Sequence, residues 1–181
     1  MLKEKVQVMT AEDMERALRR MGSEILERNH GCEGLVLIGI QRRGVYLASR
    51  LRDYLREAEG VKVPFGELDI TLYRDDISLL DDQPIVHSTS LPGDINGKRI
   101  VLVDDVLYTG RTIRAALEAL ADLGRPGSVQ LAILIDRGHR ELPIQPDYLG
   151  KTVPTSSQEV VDVRVHELDG EDEALICARP E

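Results

Sequence analysis

Residues 100–112 read Ile-Val-Leu-Val-Asp-Asp-Val-Leu-Tyr-Thr-Gly-Arg-Thr. The apolar run from Ile100 to Val103 is short, rich in β-branched residues and sharply bounded, which fits a strand buried on both faces of a parallel sheet. Asp104 and Asp105 then stand at its C-terminal edge, where open α/β sheets place their ligands. Arg111 to Leu123 has the pattern of a helix. Tyr108 to Thr112 therefore wraps a helix N-terminus, whose unpaired N–H groups and dipole favour a phosphate. A pair of acids able to hold hydroxyls, set beside an anion cradle, suits a sugar phosphate. Taken alone, two acids after a strand also fit a turn with a helix N-cap, and Thr-Gly fits ordinary loop chemistry. The segment is not a P-loop, because GxxxxGK[ST] is missing and no GxGxxG follows a strand.

Working outward, strands and helices alternate. Thr10 with Asp13 resembles a capping box, and Met14, Leu18, Met21 and Ile25 recur at helical spacing up to about Asn29. Leu35 to Ile40 reads as a buried strand, followed by a helix with Val45, Leu47, Ala48, Leu51 and Leu55 inward. Val63 to Leu72 is expected to be a strand with Pro64 among its first residues, and residues 73–98 a long polar connection of the kind that carries function. Helix 111–123 closes on Gly124 and Pro126, and Val129 to Ile135 is the next strand. After Asp136 come short extended pieces near 144–149 and 160–165, then a hairpin through Asp169-Gly170 into Ala174 to Ala178. The expected fold is α/β: a mainly parallel central sheet flanked by helices, with a small β-rich hood. The expected organisation is one domain over 1–181, its core about 1–135 plus the C-terminal strand and its hood about 136–168.

Composition narrows the classes. The 181 residues are 42% hydrophobic and 30% charged, the range of a folded globular chain rather than a disordered one. A formal net charge of −9 argues against a surface coated for nucleic acid, though not against a local basic patch. Cys32 and Cys177 stand apart without a CxxC, so they read as reduced thiols. No apolar run approaches a membrane span, and residues 1–10 lack a signal peptide's apolar core, so no membrane partner and a cytoplasmic location are expected.

The string Val101–Thr112 closely resembles the phosphoribosyl-pyrophosphate (PRPP) signature of type I phosphoribosyltransferases. Ile38-Gly39-Ile40-Gln41-Arg42-Arg43-Gly44 resembles the family's pyrophosphate loop, which often carries a non-proline cis peptide. Basic residues opening a helix are also common. A cation there is electrostatically poor unless an anion compensates it. Asp69 to Asp76 resembles the entry to the lid that shields PRPP from water. Together with Asp136–Pro143 and Pro146–Lys151, these segments resemble the branch that joins uracil phosphoribosyl transfer to regulation of pyrimidine genes.

The resemblance implies a role for each matching position. Asp104 and Asp105 would be catalytic, holding the ribose hydroxyls, with Mg²⁺ brought by PRPP and held mostly indirectly through substrate and water. Val106, Leu107, Tyr108, Thr109, Gly110, Arg111 and Thr112 would wrap the 5′-phosphate of PRPP or UMP. Gln41, Arg42, Arg43 and Gly44 would form the pyrophosphate loop, with both arginines catalytic. Arg137, Tyr148 and Leu149 would frame uracil, partly through backbone groups that read its edge, with Val161 as a pocket wall. Tyr108 stands where the hypoxanthine-guanine branch carries an aspartate for purine N7, a change that suits a pyrimidine and leaves no obvious general base. The implied partners are uracil, PRPP, UMP or UTP, pyrimidine-operon mRNA, and further copies in a homodimer or homotetramer.

For RNA, Arg16, Arg19 and Arg20 fall with Ser23 opposite the apolar stripe of the first helix. Such a cluster could grip phosphates, yet Glu12, Glu15, Glu24 and Glu27 share the helix and could simply pair with the arginines. Arg16, Arg20, Arg28 and Arg140 match arginines of the RNA surface that the resemblance implies, whereas Arg19, Ser23 and Gln145 depart from it. The alternatives left open are a salvage transferase without RNA regulation and a regulator with vestigial catalysis. A purine transferase is disfavoured by Tyr108.

Overall fold

A computed structural model describes residues 2–75 and 88–179. Its first elements are strand β1 (Lys3–Met9) and helix α1 (Ala11–Asn29). The capping box at Thr10 is formed: the Thr10 hydroxyl accepts from the Asp13 N–H at 3.2 Å, and the Thr10 N–H donates to the Asp13 carboxylate at 2.9 Å. Met14, Leu18, Met21 and Ile25 are all buried, as their spacing requires.

Strand β2 (Leu35–Ile40), helix α2 (Arg43–Glu59) and strand β3 (Phe65–Leu68) follow, then a single 3₁₀ turn at Thr71–Tyr73. Next come β4 (Arg99–Leu107), α3 (Arg111–Leu123), β5 (Ser128–Asp136) and β6 (Tyr148–Thr152). Five parallel strands form the main sheet in the order β3-β2-β4-β5-β6. Leu37, Val101, Val103, Ala132 and Leu134 pack with α1 and α2 on one face. Ile38, Ile100, Leu102, Leu131 and Ile133 pack with α3 on the other. Burying each such side chain contributes about 1.5–3 kcal/mol, so the continuous apolar runs are explained by a sheet covered on both sides.

The remaining elements are β7 (Glu159–Arg164), the single turn α4 (His166–Asp169) and β8 (Glu173–Ala178). They form a three-stranded antiparallel sheet in the order β1-β8-β7. Among the described residues no helix is long and apolar enough to cross a membrane.

Four details differ from the sequence reading. The strand expected over 63–72 is cut to four residues, because the Asp69 carboxylate takes the Thr71 N–H at 2.8 Å and turns the chain. The extended piece expected near 144–149 in the hood is instead β6, the fifth strand of the main sheet, pairing Ala132 with Tyr148 and Asp136 with Thr152. The final hairpin forms with Asp169-Gly170 in its connection, and the connection also holds the unexpected single turn α4. Strand β1 had no counterpart in the sequence reading; all but Met9 of its residues stay unburied, so it shows little apolar periodicity. The expected lid beyond Asp75 falls on residues 76–87, which lie outside the described residues.

Candidate active site

The strand order decides where a ligand can bind. From β2 the chain passes through α2 to β3, and from β4 through α3 to β5, on opposite faces of the sheet. Neighbouring β2 and β4 therefore send their next segments in opposite directions, which opens a crevice at their C-terminal ends. A cleft of about 360 Å³ lies there, bounded by Gln41, Arg42, Arg43, Asp104, Asp105 and Thr112 together with residues 69–71 and Arg74.

Asp104 and Asp105 lie near the end of β4, which runs on to Leu107, beyond the apolar run itself. The Asp105 N–H donates to Asp104 Oδ1 at 2.9 Å and the Val106 N–H to Asp105 Oδ1 at 2.8 Å, so both carboxylates are held by backbone. Burial pushes the Asp104 carboxyl well above the usual carboxylate range, and the neighbouring Asp105 charge adds to this. Burial raises Asp105 as well, opposed by its contact with Asp104 and by the Arg43 charge. A desolvated acid pair of this kind gains most from a ligand that brings hydroxyls or a cation.

The pyrophosphate-type loop sits opposite. The Gln41–Arg42 peptide is cis. Gln41 is fixed by its N–H to the Leu68 carbonyl at 2.9 Å and by its side chain to Glu67 at 3.0 Å. Gly44 permits the close approach of α2 to β4: a Cβ there would stand 2.4 Å from the Val103 carbonyl oxygen.

The phosphate-type loop ends on Gly110, whose φ of +94° is open to glycine and costly for other residues. Helix α3 has a glycine at its N-cap and no acid in its first turn; the Arg111 N–H donates to the Thr109 hydroxyl at 3.3 Å, and no negative charge offsets the positive end of the helix dipole. The hood loop braces the phosphate loop from behind. Arg137 N–H donates to the Leu107 carbonyl at 3.1 Å, Glu141 N–H to the Thr109 carbonyl at 2.9 Å, and Arg140 to the Tyr108 carbonyl at 2.8 Å. Arg111 pairs with Asp75 at 2.7 Å and Glu141 at 2.8 Å.

Of the four residues expected to frame a base, the structure brings only Arg137 to the loop. Its guanidinium lies 3.9 Å over the Tyr108 ring and is anchored to the Ser156 and Glu159 carbonyls at 3.2 and 2.7 Å. His139 packs edge-on against the same ring. The side chain of Tyr148 does not face a base: it is 2% exposed, and its hydroxyl donates to Gln130 at 2.6 Å inside a buried network with Asn29. Its side chain closes the core under α1 and offers no edge to a base. Leu149 packs into the α3-side core, and Val161 is buried among α1-side residues, so neither side chain lines the cleft. The sequence reading gave no separate role to Asp69, Thr71 and Arg74, which do line it. Asp69 follows the end of β3, the same parallel-strand edge that singled out Asp104.

The arginines expected on RNA are engaged within the chain. Arg16 pairs with Glu12, Arg19 with Glu15 and Glu57 at 3.1 Å each, Arg20 with Glu24 at 3.0 Å, and Arg28 with Asp147 at 2.7 Å. The i,i+4 pairing open in the sequence is therefore what forms. Arg140 is a correction: its side chain is 14% exposed and tied to Asp136, Ile144 and Tyr108, so it braces the hood instead of presenting a cation to solvent.

This geometry has known counterparts. The profile of the phosphoribosyl transferase domain matches residues 7–167. The chain is 60% identical over 170 residues to "Bifunctional protein PyrR" of Caldicellulosiruptor bescii, covering 94% of this chain and 93% of that one. It is 57% identical over 181 residues to the same-named protein of Pelotomaculum thermopropionicum, covering 100% of each. Among solved structures it superposes on a hypoxanthine phosphoribosyltransferase of Trypanosoma cruzi with a TM-score of 0.74 at 20% identity, covering 98% and 96% of the two chains. The chain thus belongs to the phosphoribosyl transferase domain family and, within it, to the PyrR proteins. The structural likeness, at that identity, concerns the fold alone.

Proposed function

We propose that the chain transfers a phosphoribosyl group from PRPP to uracil, releasing pyrophosphate and forming UMP, and that it regulates pyrimidine genes by binding their mRNA when UMP or UTP is bound. One observation carries the enzymatic half. At the β2/β4 crevice, the acid pair faces two arginines, and the N-terminus of α3, with no acid in its first turn, lies beside it. Asp104 and Asp105 hold the ribose 2′- and 3′-hydroxyls, and residues 106–112 wrap the 5′-phosphate. As the bond from C1 to pyrophosphate stretches, positive charge grows on the ribose and negative charge on the leaving group. Arg42 and Arg43 stabilise the latter, and most of the rate gain comes from this preorganised charge. Magnesium arriving with PRPP would neutralise pyrophosphate further, and the hard oxygens of Asp104 and Asp105 fit its preference for carboxylate, hydroxyl and water. Tyr108, held by Arg137, occupies the position that suits a pyrimidine.

The regulatory half rests on the membership among proteins named bifunctional and on the α1 face. The side chains of Arg16, Arg19 and Arg20 are 72, 49 and 47% exposed, and surface ion pairs are worth only about 0–1 kcal/mol. RNA phosphates can therefore replace the glutamate partners of Arg16 and Arg19 at little cost, with salt-sensitive affinity, whereas Arg20 is also held by the Leu149 and Gly150 carbonyls at 3.0 and 2.7 Å. UMP occupies the cleft that PRPP uses, so nucleotide state biases the RNA-binding assembly, read as a cytoplasmic homodimer or homotetramer. The test is filter retention of a pyrimidine-operon leader hairpin against a scrambled RNA, with and without UMP. Selective retention strengthened by UMP supports the regulator. Weak retention indifferent to sequence and UMP leaves a uracil-salvage transferase.

A further inference from the structure

Arg43 has an unusual setting. One terminal nitrogen of its guanidinium donates to Asp169 Oδ1 at 2.9 Å, a residue on α4 far along the chain. Its Nε is buried and has no hydrogen-bond partner among the described residues. Arg43 also lines the cleft bounded by Asp104 and Asp105. Asp169 is itself immobilised, since its other carboxylate oxygen accepts the Val165 N–H at 2.8 Å. The β7–β8 connection carrying it is fastened to α2 by Arg50, which reaches Glu167 at 2.6 Å and Asp172 at 2.7 Å.

We propose that Asp169 is a positioning residue: it fixes one corner of the Arg43 fork so that the remaining donors face the pyrophosphate subsite. The inference rests on the reading of Arg43 as a pyrophosphate ligand and adds the group that aims it. A guanidinium presents five donors in a rigid plane, so anchoring one corner sets the direction of the others. An arginine without such an anchor would have to lose its side-chain rotamer freedom each time pyrophosphate bound. The buried, unpartnered Nε fits this arrangement, because a donor left dry costs free energy until an acceptor arrives. The side-chain bonds of Asp169 go to Arg43 and the Val165 N–H, so its effect on the substrate runs through Arg43.

The test is calorimetric binding of Mg²⁺-pyrophosphate, PRPP and UMP to the full chain, its Asp169→Asn and Arg43→Ala variants and the double variant. Asparagine keeps an oxygen for the Val165 N–H while losing the charge that grips Arg43. Asp169→Asn is expected to weaken pyrophosphate and PRPP by roughly tenfold, within the range of coupled contacting pairs, and to leave UMP, which has no pyrophosphate, unchanged. In the Arg43→Ala background the same change should have no further effect. Glu171→Gln, which removes a neighbouring charge paired with Arg164, should change none of the three affinities. Parallel weakening of UMP, a loss that persists without Arg43, or tighter pyrophosphate binding by Asp169→Asn overturns the proposal. If Arg43→Ala itself leaves pyrophosphate affinity intact, the reading of Arg43 fails first. That result differs from one in which Arg43→Ala weakens binding and Asp169→Asn does not, which sinks the positioning role alone. Should Asp169→Asn fold poorly, Arg43→Lys carries the test. A single ammonium cannot hold Asp169 and reach pyrophosphate together, so wild-type pyrophosphate affinity in that variant contradicts the idea.

Discussion

Replacing Asp104 with asparagine should make the protein more stable while abolishing turnover. Asp104 is 7% exposed and shares its buried site with Asp105. Its ordinary value is 3.8, and burial followed by the Asp105 charge raises it well above that in the fold. The sign follows from linkage. Below the unfolded value both states carry the proton and the pair costs nothing extra. As pH rises through the raised folded value, the native chain must bury charge that the unfolded chain leaves in water, so stability is lost at neutral pH. The amide removes that charge and keeps the oxygen that accepts the Asp105 N–H at 2.9 Å. Relief of functional strain of this kind yields about 1–2 kcal/mol. For a chain of this length each kcal/mol moves Tm by about 2–4 °C, so a rise of roughly 2–8 °C is expected near pH 7.5. The gain should shrink near pH 4.5, where the wild-type pair retains a proton. Scanning calorimetry of both proteins at the two pH values measures it. A lower Tm for Asp104→Asn near neutrality, or a gain no larger there than in acid, refutes the reasoning.

Tyr148→Phe removes a hydroxyl that donates to Gln130 at 2.6 Å in a buried network, so chemical denaturation should show a loss of about 1–3 kcal/mol. Uracil kinetics should not change, because the side chain lies in the core; a raised KM for uracil would restore it to the base pocket. Gly44→Ala would force a methyl to 2.4 Å from the Val103 carbonyl. It should displace the pyrophosphate loop, with calorimetry showing weaker PRPP binding and a Tm lower by several degrees, or no soluble protein. Arg140→Ala strips the ion-pair partner from the part-buried Asp136 carboxylate, which keeps the Gly138 N–H, and should cost about 1–3 kcal/mol by denaturation, with weaker UMP binding as the Tyr108 carbonyl loses its brace. Arg16→Ala should leave stability within about 0.5 kcal/mol and lower the salt dependence of RNA binding, read from retention against salt concentration.

The main sheet was legible because its strands are covered on both faces. Runs such as Ile100–Val103 and Leu35–Ile40 carry no polar residue to turn toward water, so both sides must be buried, and the acids that follow the first run mark the crevice. Strand β1 was illegible for the opposite reason: it lies at the edge of a three-stranded sheet with little of its surface buried. Tyr148 was placed at the base by resemblance, and nothing local in its polar, proline-punctuated stretch shows that its side chain is buried. Its actual partners, Asn29 and Gln130, lie 119 and 18 residues away, and only tertiary packing joins them. Arg140 failed for a related reason. Its charge is visible in sequence, but the carbonyls of Tyr108 and Ile144 that absorb it are not. The α1 arginines were ambiguous for a local reason, since every one of them has a glutamate within about one turn. Asp69 was within reach of the strand-end rule and was passed over because the strand was expected to continue to residue 72.

The most direct test of the account is formation of UMP from radiolabelled uracil and PRPP with Mg²⁺, using the wild-type chain and Asp105→Asn, with hypoxanthine as a parallel base. The account predicts UMP and stoichiometric pyrophosphate from the wild type, almost none from Asp105→Asn despite an intact fold, and no IMP. Equal turnover by Asp105→Asn, or hypoxanthine consumed in place of uracil, would contradict it.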